Sequence, residues 1–251
     1  MKKTSLKDFV ASSMSPSLFM YKAFNMKPDD WQIGLLDNFP QESLLLCSRQ
    51  SGKSTVSATL ALHQAAFKSN SLVIIVSKAY RQAEELLRKV KVGVPFVSSV
   101  LAIVKENQSE IELDNGSRIL SLPGREDTIR AYSAVSLIII DEASRVGEEL
   151  YNSVRPMLAI SRGKILALTT PFGKQGWFHK AWVGDDDWFK IKITASDCPR
   201  ITDDFINTEM KRMGEWWVKQ EYFCEFVDNE TQLFSYDDII KCITDEVEVW
   251  A

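Results

Sequence analysis

The chain has 251 residues, 45% hydrophobic and 25% charged, which is room for one large α/β domain, or one with a small appendage, and a core that needs no disulfide or metal staple. A net charge of −4 and a pI near 5.4 exclude a basic coat over the whole surface, so any contact with nucleic acid has to be local. The cysteines, Cys47, Cys198, Cys224 and Cys242, form no C-x-x-C pair, and the histidines are His63 and His179 alone, so zinc is not expected and the thiols point to a reducing compartment.

Residues 1–30 have the pattern of short amphipathic helices broken at Pro16 and Pro28, with Phe9, Val10, Leu18, Phe19, Tyr21 and Phe24 as the apolar face. The start is basic, and no apolar run long enough for a signal peptide or membrane span follows it. A further helix is expected after Pro28, capped by Asp30, with Trp31, Leu35 and Leu36 facing inward. Its Gln32 carries both a donor and an acceptor, which suits the N6 and N7 edge of adenine.

The apolar run Leu44-Leu45-Leu46 leads into Cys47-Ser48-Arg49-Gln50-Ser51-Gly52-Lys53-Ser54, and a helical pattern from Thr55 to Phe67 follows. Strand, tight loop and helix form the setting of a phosphate-binding loop. The N–H groups of the loop and the helix start would face an anion. Gly52 permits close approach, Lys53 reaches the β- and γ-phosphates, and the Ser54 hydroxyl suits Mg²⁺. Cys47 stands where the common pattern has Gly, and a positive φ there would be strained.

Residues 71–77 are a continuous apolar run, the mark of a parallel strand buried on both faces. Residues 82–92 make an amphipathic helix, and the cluster Lys78, Arg81, Arg88, Lys89 and Lys91 suits a solvated face better than a DNA contact. Two alternating strands flank Asn115-Gly116, a hairpin pair suited to positive φ. Residues 137–140 form an apolar strand ending in Asp141-Glu142, where the first carboxylate can hold Mg²⁺ and the second can deprotonate an attacking water. Residues 164–168 form another, ending in Thr169-Thr170-Pro171, whose hydroxyls either cap the strand or sense a γ-phosphate. Beyond Gly176 the tryptophans Trp177, Trp182, Trp188, Trp216 and Trp217 suit a core more than a binding platform. Residues 189–194 alternate like a strand, 203–219 suggest one helix capped by Thr202 or Asp203, and 220–226 alternate again.

Taken together, Arg49-Gln50-Ser51-Gly52-Lys53-Ser54, Ile138-Ile139-Ile140-Asp141-Glu142-Ala143 and Thr169-Thr170-Pro171 resemble the ATPase domain of a tailed-bacteriophage terminase large subunit. Trp31-Gln32 resembles that family's adenine motif, and residues 221–226 resemble the segment that closes its ATPase core. The resemblance covers roughly residues 28–235, and the variant first position at Cys47 and the arginine inside the loop belong to it. It implies a RecA-like ASCE P-loop NTPase: an α/β fold, a mainly parallel central sheet flanked by helices, and a small C-terminal lid or linker subdomain. The ATPase core would span 1–228, and 229–251 would lead towards a nuclease domain that this chain does not include, so nuclease activity is not expected of it.

By the same resemblance the ligands are ATP and Mg²⁺. Gln32, Gln50, Ser51, Gly52, Lys53, Ser54 and Thr55 would bind the nucleotide, Ser54 and Asp141 the metal. Glu142 would be the catalytic base, Thr169 and Thr170 the coupling motif, and Arg49 would meet the γ-phosphate in cis. Arg130 is the candidate arginine finger for a neighbouring subunit, with Arg125 and Arg145 behind it. The implied partners are double-stranded DNA, a viral portal, a small terminase subunit and copies of the chain itself in a ring, with no membrane; the implied place is the host cytoplasm during assembly, not the mature virion. The competing expectations are a helicase or other nucleic-acid translocase, and an ATP-dependent scaffold or switch with little turnover.

Overall fold

The computed structural model describes residues 5–124 and 129–227. The runner-up Arg125, Cys242 and the segment 229–251 lie outside the described residues. Helices α1 (Leu6–Met14), α2 (Pro16–Phe24) and α3 (Asp30–Asp37) precede the sheet. Pro16 starts α2 rather than merely ending α1, because Ser15 caps it by accepting from the Leu18 N–H and a proline at the first position loses no hydrogen bond. Phe9, Phe19 and Phe24 are buried as expected, but Val10 and Tyr21 are more than half exposed, so the apolar face is narrower than the sequence suggests. Helix α3 is capped by Asp29, one residue earlier than expected.

The remaining elements are β1 (Glu42–Cys47), α4 (Lys53–Phe67), β2 (Leu72–Ser77), α5 (Tyr80–Val97), β3 (Ile103–Glu106), β4 (Glu110–Leu113), β5 (Arg118–Pro123), β6 (Leu137–Asp141), α6 (Glu148–Ala159), β7 (Lys164–Thr169), α7 (Gly176–Val183), β8 (Phe189–Ile193), α8 (Asp203–Met213) and α9 (Glu215–Glu221). Among the described residues eight strands form one sheet in the order β3-β4-β5-β2-β6-β7-β1-β8. From β5 to β8 every neighbour is parallel; β3, β4 and β5 form an antiparallel flap at one edge. This is the mainly parallel, helix-flanked sheet of a RecA-like P-loop fold.

Alternate residues of the central strands enter opposite cores. Leu45, Val73, Ile75 and Ile139 pack with α1 to α5 on one face, while Leu44, Ile74, Val76, Ile138 and Ile140 pack with α6 and α7 on the other. Trp177 and Trp188 are buried in the second core, where Trp177 stacks on Tyr151 at 4.2 Å between ring centres, so these two are packing residues. The basic residues near α5 are mostly at its solvent face, with Lys78, Arg81, Arg88 and Lys89 exposed. Among the described residues no helix is long and apolar enough to cross a membrane.

Three local expectations change. In the hairpin only Gly116 adopts positive φ, at 80°; Asn115 instead accepts from the Ser117 N–H and donates to Ala65 O, tying the turn to α4. The helix expected over 203–219 is two helices, because Gly214 with φ 89° breaks it between α8 and α9. Residues 222–226 are not a strand: Ala195 N–H bonds Tyr222 O, and Cys224 takes φ 54°, so the buried and exposed alternation comes from irregular chain lying across the end of the sheet. A small third core of Ala195, Ile206, Val218 and Tyr222 holds α8 and α9 together as a unit beside β8.

Candidate active site

The strand order sets β6, β7 and β1 side by side, and their carboxyl ends carry Asp141, Thr169 and Cys47. In an open parallel sheet that rim is where ligands bind. Cys47 is the last residue of β1, fully buried and extended, so the strain feared for a non-glycine there does not arise. Burial pushes its thiol up to about 12, against the pull of Lys53, which leaves it an inert packing group.

The loop that follows turns on two left-handed residues, Gln50 at φ 58° and Gly52 at φ 94°. A Cβ on Gly52 would lie 2.6 Å from Gln32 Nε2, so glycine is required both for the turn and for the approach of α3. Gln32 is buried, and its Oε1 accepts from the Asp29 N–H. Ser51 is buried too, and its hydroxyl has no hydrogen-bond partner among the described residues. Lys53 begins α4, Thr55 N–H bonds Gly52 O, and Ser54 lies between them in the first turn. An orphan hydroxyl, a glycine cradle and a helix N-terminus together fit the phosphates of a nucleotide.

Lys53 Nζ stands 3.5 Å from Glu142 Oε1, which joins the β1 loop to the β6 tip across β7. Glu142 is left-handed, at φ 53°, and its N–H bonds Asp141 Oδ1 at 3.1 Å. Arg145 Nε approaches the other Glu142 oxygen at 3.8 Å, and its guanidinium lies 4.0 Å from the centre of the Phe172 ring. Ser144 Oγ is 2.6 Å from Thr169 Oγ1 and donates to Thr170 O, so the β6 tip is bonded to the β7 tip. Thr169 and Thr170 are both buried.

Among the described residues Asp141 makes no ion pair, and burial raises its carboxyl to about 6 even though Lys53 acts to lower it. A buried carboxylate short of a cation, close to a phosphate loop and its Ser54 hydroxyl, fits Mg²⁺, which takes one or two protein oxygens and completes its shell with phosphate and water. A folded-state pKa above the unfolded value means the native chain holds this proton more tightly. Stability is therefore lost as pH rises through the window from about 4 to about 6. Asp141→Asn should stabilise the ligand-free chain by up to about 3 kcal/mol near pH 8, with the gain gone near pH 4. Urea unfolding at both pH values checks this, and equal stabilities near pH 8 would contradict it.

Other expected residues lie apart. Arg49 is turned to the end of α9, where its Nε is 2.6 Å from the buried Glu221 carboxylate and its N–H bonds Glu221 O at 2.9 Å. Its guanidinium also lies 5.7 Å from the Trp217 ring centre. Arg130 is exposed on the turn that precedes β6. Arg145, a runner-up for a neighbour's finger, is engaged within its own chain. Asp29 and Arg200 escaped the sequence reading: Arg200 forms a two-point ion pair with Asp29, at 2.8 and 2.6 Å, and approaches Ser51 O at 3.4 Å. The only signal was the cap position of Asp29; nothing marks Arg200.

Residues 44–241 match the family described as "Terminase large subunit, T4likevirus-type, N-terminal". The terminase large subunit of Escherichia phage T5 is 27% identical over 206 residues, covering 79% of this chain and 47% of that protein. The chain thus spans about half the length of the curated relatives it matches. The large terminase ATPase domain of Thermus phage P74-26 superposes with a TM-score of 0.75 at 18% identity, covering 85% of this chain and 99% of that one. The HK97 bacteriophage large terminase gives 0.67 at 14% identity, covering 86% and 55%. These likenesses fix the fold, and the family match, which takes in the phosphate loop and both neighbouring strand tips, shows that the chain belongs to the terminase large subunits of the T4likevirus type, within their N-terminal part.

Proposed function

We propose that this chain is the ATP-hydrolysing motor part of a terminase, which drives double-stranded DNA into an empty capsid in the host cytoplasm. The observation that carries the proposal is the meeting of Lys53 and Glu142 at 3.5 Å, from the tips of β1 and β6 on either side of β7, because it sets a phosphate-binding cation beside a carboxylate able to take a proton from water. Loop N–H groups and Lys53 hold the triphosphate, and Gln32, packed against Gly52, is the residue offered to the adenine edge. Ser54 and Asp141 would hold Mg²⁺, which when bound offsets the charge of the phosphate oxygens. Glu142 leaves Lys53, orients the attacking water and accepts its proton. For Arg49 to serve the γ-phosphate, its pair with Glu221 opens. Thr169 and Thr170, bonded to Ser144 two residues after Glu142, feel the change at the β6 tip.

The exposed Arg130 is the candidate for completing a neighbour's site in a ring, a contribution worth roughly 10³–10⁵ in rate where it occurs. DNA contacts would be to phosphates and weaken with salt; portal and small subunit would be the other partners. The test is ATP turnover by the chain alone, with double-stranded DNA, and as the whole subunit on its portal. Turnover that rises with assembly and falls for Arg130→Ala mixed with wild-type subunits is the expected result. ATP binding with no turnover in any assembly would leave a scaffold or switch, and duplex unwinding would indicate a helicase.

A further inference from the structure

Glu142 sits between two cations of different standing. Lys53 belongs to the phosphate loop, and an incoming triphosphate competes for it; Arg145 belongs to the short 3-10 turn after β6 and is held by a second contact, to a residue outside the phosphate loop. That contact is Phe172, whose ring centre lies 4.0 Å from the guanidinium carbon, well within cation–π range. Phe172 lies in the segment that runs from the β7 tip to α7. The turn carrying Arg145 is itself bonded to β7, since Ser144 N–H and Oγ both engage Thr169 Oγ1 and Oγ donates to Thr170 O. Glu142 has a left-handed backbone that only its neighbours can hold in place.

We infer that Arg145 is a positioning residue acting in cis: it holds the Glu142 carboxylate when Lys53 turns to phosphate, and it links the state of that carboxylate to the segment around Phe172. The inference rests on the ATP-hydrolysing reading of the site and goes beyond it in assigning the link. A guanidinium can present one edge to a carboxylate and one face to a ring at once. A shift of the carboxylate towards the substrate therefore either drags the guanidinium across Phe172 or breaks the pair, and in both cases the segment leading to α7 is informed. An ammonium in the same place keeps the charge and loses the plane, so lysine is not an equivalent.

The test compares wild type with Arg145→Ala, Arg145→Lys, Phe172→Leu and the Arg145→Ala/Phe172→Leu double variant in the intact chain. Three quantities are read: kcat and KM for ATP, affinity for a fluorescent non-hydrolysable ATP analogue, and amide hydrogen exchange at residues 170–175 with and without that analogue. Arg145→Ala and Arg145→Lys should lower kcat about tenfold, a part of the 10²–10⁴ available to a general base, with KM and analogue affinity within about twofold. Phe172→Leu should lose a similar amount, and the double variant no more than Arg145→Ala alone, because the two act through one contact. The analogue should change exchange at 170–175 in wild type and not in Arg145→Ala; this readout does not depend on turnover. Wild-type kcat and an undiminished exchange response in Arg145→Ala, or fully additive losses in the double variant, would overturn the inference while leaving the ATPase reading standing. Failure of wild type to bind the analogue would overturn both.

Discussion

Glu142→Gln should lower ATP turnover by about 10²–10⁴-fold while leaving nucleotide affinity equal to wild type or several-fold tighter. Two observations set the split. The carboxylate stands beside Lys53 at 3.5 Å, where it can accept a proton from a water aimed at the γ-phosphate, and an amide cannot accept one. The same carboxylate also competes with phosphate for Lys53 and, at 3.8 Å, holds Arg145; the neutral amide weakens both attractions, so Lys53 is freer to meet the ligand. A variant that merely damaged the fold would lose affinity together with turnover. Phosphate release measured at saturating ATP, paired with equilibrium binding of a fluorescent analogue, separates the two. If Glu142→Gln turned over ATP within threefold of wild type, the proton would have to go elsewhere, and the base would need to be sought outside the β6 tip.

Much of that site was legible in the sequence for a simple reason. A parallel strand buried on both faces has to be an uninterrupted apolar run, and the polar residues that end it mark the ligand rim. Residues 44–46, 137–140 and 165–168 obey this, so Lys53, Asp141, Glu142, Thr169 and Thr170 are legible from the sequence even though nothing in it shows that their strands are neighbours. The sequence is mute where a contact depends on two distant segments arriving together. Arg49 meets Glu221, and Asp29 meets Arg200, each across about 170 residues, and an arginine has no local pattern that announces its partner. The break at Gly214 was missed for a related reason: both sides have good helix-forming residues, and only the packing of Val218 and Tyr222 against Ala195 and Ile206 requires the turn. Val10 was misplaced because an apolar residue on a short surface helix is a weak indicator of burial.

The second large effect concerns Arg49 and the unit formed by α8 and α9. Arg49→Ala should destabilise the ligand-free chain by about 2–4 kcal/mol, reduced from the roughly 3–5 kcal/mol for breaking a fully buried ion pair because the Arg49 side chain is 55% exposed while that of Glu221 is only 2% exposed. The loss arises from the carboxylate left behind. Without the guanidinium, Glu221 keeps the Gln220 Nε2 donor at 3.2 Å, one neutral hydrogen bond for a buried charge. Glu221→Gln removes that charge, so the double variant Arg49→Ala/Glu221→Gln should be more stable than Arg49→Ala alone. Ordinary packing loss predicts the reverse order, since two truncated contacts cost more than one. For a chain of this size the single variant corresponds to a fall in Tm of roughly 4–16 °C. The fluorescence of the tryptophans, Trp217 beside Arg49 among them, follows unfolding in urea. A double variant less stable than Arg49→Ala would mean that Glu221 finds other compensation. In that case opening the Arg49 and Glu221 pair would cost little, and α8 and α9 could follow the nucleotide while the Arg49 N–H to Glu221 O bond is kept.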